Sequence, residues 1–373
     1  MRIGFDAKRA FNNHRGLGNY SRETLRILTS LSPEHHYFLF TPAIDPTLHY
    51  CSPEQAEIIL PHRAKGKWSQ SIWRTYTIPK EASALKIDLY HGLSHEIPRG
   101  MEKTGIKTVV TMHDLLFMKH PEWFPAFDRW MYRKKYIDSC QRADGIIAVS
   151  EQTRRELLEL TKLDPDKVKV VYQGCNPMFR ETVPAEQLQE LKKRHGLPDS
   201  YMLTVGAIEP RKNQQLLLKA LSRGHIDIPL VIAGRKTNYF ADLQQKEKEY
   251  HVQKQVIWLP DLPSSELPAL YQGATLFLFP SFDEGFGIPI VEALESNVPV
   301  IAATGSCLEE SAGPHSCFAD PGQPDEWAEK ITWLLNDLHT RDEMRKQGKQ
   351  YAQRFSDASI NEQLTRIYKT LLP

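Results

Sequence analysis

Short apolar runs alternate with helical patterns along nearly the whole chain, and this alternation restricts the fold more than any other feature. In the first half the runs are RIGFDA, YFLFT, EIIL, DLYHG, TVVTMHDL, GIIAVS and KVKVVYQG. Between them, segments such as 19–31 and 150–160 set apolar residues three and four apart, the spacing of an amphipathic helix. Ser150 stands where a helix N-cap is wanted. Strand and helix in strict alternation build a parallel sheet covered by helices on both faces.

The same grammar restarts after residue 200 with YMLTVGAI, PLVIAG, QVIWLP, TLFLFPS and VPVIAA. Residues 173–200 between the two halves hold three prolines, a run of charge and one short helical pattern, which suits a boundary better than a core element. A chain of 373 residues has room for two domains. The expectation is an α/β protein of two doubly wound, Rossmann-like domains facing each other across a deep cleft. The first covers residues 1–178 and the second 179–355, with the hinge near 174–184. The tail 356–373 carries Ile360, Leu364, Ile367, Tyr368 and Leu371 on one helical face and joins the first domain as a docked helix.

Composition narrows the partners. Formal charge nearly cancels at +1 and a quarter of the residues are charged, so nothing global points to nucleic acid. Cys51, Cys140, Cys175, Cys307 and Cys317 form no CxxC pair, which fits a reducing compartment rather than a disulfide framework or a zinc site. The start MRIGFDAKRAF reads as a first strand rather than a leader, and no run approaches the ~18 apolar residues of a membrane span. A cytoplasmic location follows as the expectation. KGKWSQSIWRTY and DRWMYRKKYIDSCQR interleave basic and aromatic residues, so peripheral contact with the inner face of a membrane stands beside ordinary amphipathic packing.

Doubly wound sheets bind ligands beyond the carboxyl ends of their strands, where glycine turns admit the ligand and helix amino termini favour anions. Four stretches fall at such places. In HRGLGNYSRETLRIL, Gly16 and Gly18 let the backbone approach a phosphate or sugar ahead of a helix starting at Asn19. TVVTMHDL ends a strand in the polar pair His113 and Asp114. In LTVGAIEPRKN the strand ends at Gly206, and Arg211 and Lys212 form an anion clamp before a helix that Asn213 can cap. In SFDEGFGIPIVEALES, the amides of Phe286, Gly287 and Ile288 after Gly285 face a bound anion. Glu284 and Glu292, the latter in the first helical turn opened by Pro289, accept hydrogen bonds from paired hydroxyls such as those of sugars and riboses. Asp164 and Asp166 match an Asp-x-Asp metal pattern but sit in DPDK between helix and strand, where they read as a turn. No metal site is expected.

RGLGNYS, MHDL, GAIEPRKN and SFDEGFGIPIVEALESNVPVIAA together closely resemble the retaining nucleotide-sugar glycosyltransferases of family 4, which have the GT-B fold. The resemblance covers nearly the whole chain, and the Glu-x7-Glu pair is its most specific motif. It implies that Glu284 holds donor-sugar hydroxyls and Glu292 the ribose, while Arg211 and Lys212 bind the diphosphate. It implies further that the GLG loop closes over the phosphates, that His113 contacts the transferred sugar, and that 258–262 lies near the base. Two positions depart from similar sequences. Gln173 stands where asparagine is frequent, and Asn297 replaces a glycine, a change that a left-handed backbone tolerates.

By this resemblance the chain transfers a hexose from a nucleoside-diphosphate sugar to an acceptor hydroxyl with retention and without a metal cofactor. GDP-mannose is the first expectation for the donor, by likeness to mannosyl- and rhamnosyltransferases of surface-polysaccharide assembly; UDP- and dTDP-sugars are the alternatives. The expected acceptor is a saccharide or lipid-linked saccharide. A sugar-nucleotide epimerase, a phosphorylase, or a silent sugar-nucleotide binder stay open as rivals, because fold does not separate them.

Overall fold

The computed structural model describes residues 1–48, 50, 52–62 and 66–372, so Cys51 and part of the basic stretch around residue 64 lie outside the described residues. The chain divides into two compact units, Met1–Gly174 with Phe355–Pro373, and Cys175–Arg354.

In the first unit seven strands form one sheet: β1 (Arg2–Asp6), β2 (His36–Phe40), β3 (Ala56–Ile59), β4 (Leu89–Gly92), β5 (Lys107–Met112), β6 (Gly145–Ala148) and β7 (Val168–Val170). Their order is β3-β2-β1-β4-β5-β6-β7, every pairing is parallel, and each strand coincides with one of the seven apolar runs. Because helices cover both faces, the strands are apolar almost throughout: Phe38, Phe40, Trp73, Ile78 and Tyr90 pack in one cluster, and Val110, Met112, Phe117, Cys140 and Ile146 in another. The helix Glu151–Leu160 starts as expected, with Ser150 Oγ accepting the Thr153 N–H at 3.0 Å. The terminal helix Asp357–Leu371 buries Ile360, Leu364 and Tyr368 and packs on the helix Gly16–Leu31, where Arg26 pairs with Asp357 at 2.8 Å.

The second unit holds β8 (Met202–Val205), β9 (Leu230–Ala233), β10 (Val256–Leu259), β11 (Leu276–Phe279), β12 (Val300–Ala303) and β13 (Cys317–Ala319) in the order β10-β9-β8-β11-β12-β13, again all parallel. Five of these were legible as apolar runs. β13 was not: unlike β7, whose apolar run extends through Val171 and Tyr172, Cys317–Ala319 is closed off by His315 and Ser316 before it and Asp320 after it. Asn297 has φ +62°, the left-handed conformation anticipated for it.

Both orders place a switch point beside the first strand of the unit. In one sheet the chain runs outward from β1 to β3 and then returns to β4; in the other it runs from β8 to β10 and returns to β11. At such a point the loops leave in opposite directions and open a crevice beyond the carboxyl ends of the strands. The site residues named from sequence cluster at these two ends.

Candidate functional site

At the end of β8 the chain turns through Gly206 and reaches a short 3₁₀ turn, Pro210–Lys212, which presents two cations in succession. From the neighbouring β11 the loop 280–287 folds back against it: the Phe282 N–H donates to the Arg211 carbonyl at 3.1 Å, and Arg211 Nη1 donates to the Asp283 carbonyl at 3.0 Å. This clasp brings Glu284 onto both cations. Its Oε2 lies 2.7 Å from Arg211 Nη1 and its Oε1 2.6 Å from Lys212 Nζ, while Arg211 Nη2 also pairs with Glu209 at 2.7 Å.

Burial alone pushes the Glu284 carboxyl upward, but the Lys212 and Arg211 charges overcome it and hold the group down at about 2. The Arg211 guanidinium loses solvation on burial, yet Glu284 and Glu209 raise it above its ordinary value, so it is permanently charged. Lys212 also lies 5.0 Å from the centre of the Phe279 ring, and its methylenes cover Gly206. The result is a partly buried set of fixed charges whose cations can exchange a carboxylate for phosphate oxygens of like geometry.

The GFG turn follows. Gly287 sits at φ +103° as the N-cap of the helix Ile288–Glu295, and a Cβ there would come 2.9 Å from Ser311 Oγ, so a side chain is disfavoured both by backbone strain and by space. Pro289 lies in the first turn as expected, the Phe286 ring is buried, and Ile288 opens the helix. Glu292 falls in the second turn rather than the first, because the helix starts only at Ile288. It stands outside the ion-pair cluster and accepts the Tyr271 hydroxyl at 2.8 Å. Burial raises its carboxyl to about 7, and the Tyr271 hydrogen bond only partly offsets that.

Asn213 requires a correction. It occupies the position before the helix Gln214–Gly224 with φ +55°, but its side chain does not cap that helix. Instead Nδ2 donates to the carbonyls of Pro280 (3.1 Å) and Pro321 (2.9 Å), stitching the loops after β8, β11 and β13 together. Trp258, in the region expected near the base, lies in the edge strand β10 and donates its indole N–H to Glu247 at 3.0 Å.

The first unit assembles a different set. Gly16 and Gly18 lie within the first turn of the helix Gly16–Leu31, three residues ahead of the start inferred from sequence, so the GLG segment is helical rather than a free loop. At Gly18 a Cβ would meet the Asn13 carbonyl oxygen at 1.8 Å, which only glycine avoids. Tyr20 of the same helix meets His113 edge-on at 4.5 Å between ring centres, so this helix and the end of β5 form one surface. His113 Nε2–H donates to the Leu93 carbonyl at 2.9 Å and its backbone N–H donates to His95 Nε2 at 3.2 Å. Burial is the main cause that holds the His113 imidazole down at about 4, so it is neutral at pH 7. Asp114 Oδ1 accepts the Leu116 N–H at 3.2 Å in a local turn.

Sequence reading passed over several residues that complete these sets. His91 lies 2.6 Å from the Tyr368 hydroxyl and 2.8 Å from Thr111 Oγ1, which also meets the Tyr20 hydroxyl at 3.1 Å. That buried network ties β4, β5, the glycine-led helix and the terminal helix together. His95 adopts φ +65° and stacks on Tyr136 at 4.4 Å. The string HGLSH, polar at both ends and running out of the end of β4, was the available signal for both histidines.

Comparison with known proteins follows the same division. Residues 15–179 match the model for Glycosyltransferase Family 4 and residues 187–351 that for Glycosyl transferases group 1. The chain is 31% identical over 288 residues to O-antigen chain mannosyltransferase B of Escherichia coli, covering 76% of this chain and 74% of that one. It is 30% identical over 241 residues to the serotype-specific mannosyltransferase WbdA of Escherichia coli, across 62% of this chain but only 29% of that longer relative. The crystal structure of Anabaena Alr3699/HepE in complex with UDP and glucose superposes over 100% of both chains with a TM-score of 0.77 at 18% identity, a likeness of fold.

Proposed function

The chain belongs to glycosyltransferase family 4 and has the GT-B fold, and from that premise we propose that it transfers mannose from GDP-mannose to a saccharide or lipid-linked saccharide acceptor in surface-polysaccharide synthesis, with retention and without a metal. The supporting observation is the Arg211–Lys212–Glu284 cluster at the switch point of the second sheet. Departure of a sugar from a nucleoside diphosphate leaves negative charge on the diphosphate, and cations already fixed in a partly dehydrated site stabilise that charge without reorganising at the moment of reaction. Arg211 grips the phosphate oxygens through its planar fork, Lys212 adds a point charge, and Glu284, released from them, accepts hydroxyls of the donor sugar.

Glu292 accepts the ribose hydroxyls, and the amides from Gly285 to Ile288, with the loop end at Gly206, receive the donor. On the first unit His113 faces the sugar as a neutral imidazole, with Gly16, Gly18 and Asp114 in the donor's surroundings. A neutral ring puts no positive charge beside an anomeric carbon that is itself becoming positive. The relatives do not favour the rival readings of epimerase, phosphorylase or silent binder.

Among the described residues no helix is long and apolar enough to cross a membrane. Trp68 (88% exposed) and Phe127 (70% exposed) project from basic stretches and support a peripheral seat on an anionic inner leaflet. Binding to phosphatidylglycerol vesicles that high salt and Trp68→Ala both weaken is the expected result; equal binding to neutral vesicles would remove the idea.

The first experiment is thermal stabilisation by GDP, UDP, dTDP and ADP sugars, each with and without EDTA. Stabilisation by one nucleotide class that survives EDTA is expected, with GDP-mannose as the strongest ligand. No response to any nucleotide would return the silent-binder reading.

A further inference from the structure

A cavity of about 330 Å³ opens in the first unit beyond the carboxyl end of β1, beside the loop that follows β4. None of the residues assigned above to the donor lines it. Its volume is at the small-ligand end of binding sites. Arg74 lies deep within it, with Nε 3.0 Å from Asp6 Oδ2 and Nη1 3.1 Å from Glu96 Oε2, so the inner part is polar, one cation held between two carboxylates. Arg74 and Tyr76 come from Trp73–Thr77, a single wide π-type turn, a feature that is rare and concentrates at functional sites. The Thr75 carbonyl of that turn accepts the Arg99 N–H at 2.8 Å and thereby fixes the cavity's edge.

Two features of the lining are not explained by packing. Tyr76 and Trp130 are large aromatic side chains left 58% and 60% exposed at a polar cavity. The lining also holds five cations, Arg74, Arg99, Lys134, Lys135 and Arg142, against three carboxylates, Asp6, Glu96 and Asp138. Arg142 is spent on Asp138, Glu102 and the carbonyls of Ile97 and Pro98, Arg99 shares Asp138 at 3.7 Å, and Lys134 lies over the Trp130 ring at 5.2 Å. The Lys135 side chain forms no ion pair or hydrogen bond among the described residues and reaches the same rim.

We propose that this cavity is the acceptor pocket and that the acceptor is a saccharide bearing a phosphate group; the proposal rests on the reading of the chain as a glycosyltransferase. Exposed aromatic planes receive the apolar face of a sugar ring, carboxylates accept its hydroxyls, and the excess of cations at the rim neutralises an anion. An uncharged sugar would satisfy the first two features and leave the third without a ligand.

The test uses the full chain with saturating GDP, so that the donor site is filled, and compares mannose 1-phosphate with methyl mannoside by saturation-transfer NMR and calorimetry. Mannose 1-phosphate should bind about tenfold more tightly, as one added charge-assisted contact allows. Lys135→Glu and Arg99→Glu should each erase most of that preference while GDP affinity stays unchanged, and Trp130→Ala should weaken both sugars alike. Equal binding of the two sugars, or a preference that survives both rim variants, overturns the proposal. So does displacement of mannose 1-phosphate by phosphatidylglycerol vesicles, which would give the rim to a lipid headgroup. Failure of GDP itself to bind is a separate result that strikes the glycosyltransferase reading and not the pocket.

Discussion

The two switch points share a topology and differ in electrostatics. Beyond β8 and β11, two cations are locked to two carboxylates, and the pairing holds the Arg211 guanidinium and the Glu284 carboxylate in their charged forms at neutral pH. At the carboxyl ends of β4 and β5, beside the first sheet's switch point between β1 and β4, three imidazoles are buried close together and burial drives all of them neutral: His91 to about 3, His113 to about 4, and His95 well below its ordinary value. A parallel sheet supplies the crevice in both cases, but the loops decide whether it stores charge or excludes it. Storing charge suits the end of a substrate that leaves as an anion. Excluding it suits a group that becomes cationic, so loops on one architecture can serve either need.

The sharpest break in this comparison comes from Lys212→Ala. If the charged switch point acts on the departing diphosphate, turnover should fall by about 10²–10³-fold, the loss typical of removing one preorganised stabilising group. The change should sit mainly in kcat, with nucleoside-diphosphate affinity altered much less. Weakened binding with unchanged kcat would make Lys212 a uniform binding residue. Arg211→Lys keeps the charge but loses the fork, so a smaller loss is expected.

The neutral switch point is tested by acid. A histidine held neutral by burial has a folded pKa below its unfolded one, so it stabilises the fold above about pH 6.5 and withdraws that stability as pH falls. His91 and His113 should each cost roughly 1 kcal/mol by one pH unit below 6.5, with His95 acting in the same direction, before Glu284 begins to matter. Glu284 has the depressed carboxyl, so its contribution is present above about 4.5 and lost only between there and about 2. Denaturant unfolding at pH 7.5 and 5.5 should therefore show the first unit softening while the second holds or firms as Glu292 takes up its proton. His91→Gln should flatten part of that slope, while leaving Thr111 and Tyr368 imperfectly paired at a cost of about 1–3 kcal/mol at pH 7.5. Equal loss in both units would show that the contrast is not set by these imidazoles.

How far the sequence reached follows the same physics. Twelve of the thirteen strands were visible because buried parallel strands are continuous apolar runs, and the thirteenth, Cys317–Ala319, is closed off by polar residues on both sides and so showed no run. Arg211, Lys212 and Glu284 were legible because strand-to-helix loops advertise their chemistry in a few consecutive letters. Their pairing was not, since it depends on the register that sets the loop after β11 against the loop after β8. Asn213 shows the limit most clearly: the letter before a helix predicts a cap, yet two carbonyls from distant loops competed for the amide and won. Arg74 with Asp6 and Glu96 spans 68 and 22 positions in sequence, a separation no local pattern can report.

The smallest expected effect distinguishes the two glutamates of one motif. Glu284 is ionised throughout the physiological range, whereas burial brings Glu292 to about 7, where half its population carries a proton. Its folded pKa lies above the unfolded one, so it favours the native state at low pH and gives up that contribution as pH rises from about 4.5 through 7, the reverse of Glu284. For the ligand the order inverts. A ribose diol offers two O–H donors, and a carboxylate accepts both where a carboxylic acid must give up one acceptor. GDP should therefore bind several-fold more tightly at pH 8 than at pH 6, bounded at about tenfold by the fraction of Glu292 ionised. Dideoxy-GDP titrates its phosphates over the same range but lacks the diol, so it should show the weaker dependence that belongs to phosphate alone. Glu292→Gln should reduce GDP to that same slope. If GDP and its dideoxy form keep equal slopes in the unmodified protein, Glu292 does not hold the ribose, and its raised carboxyl reflects burial against Tyr271 and nothing more.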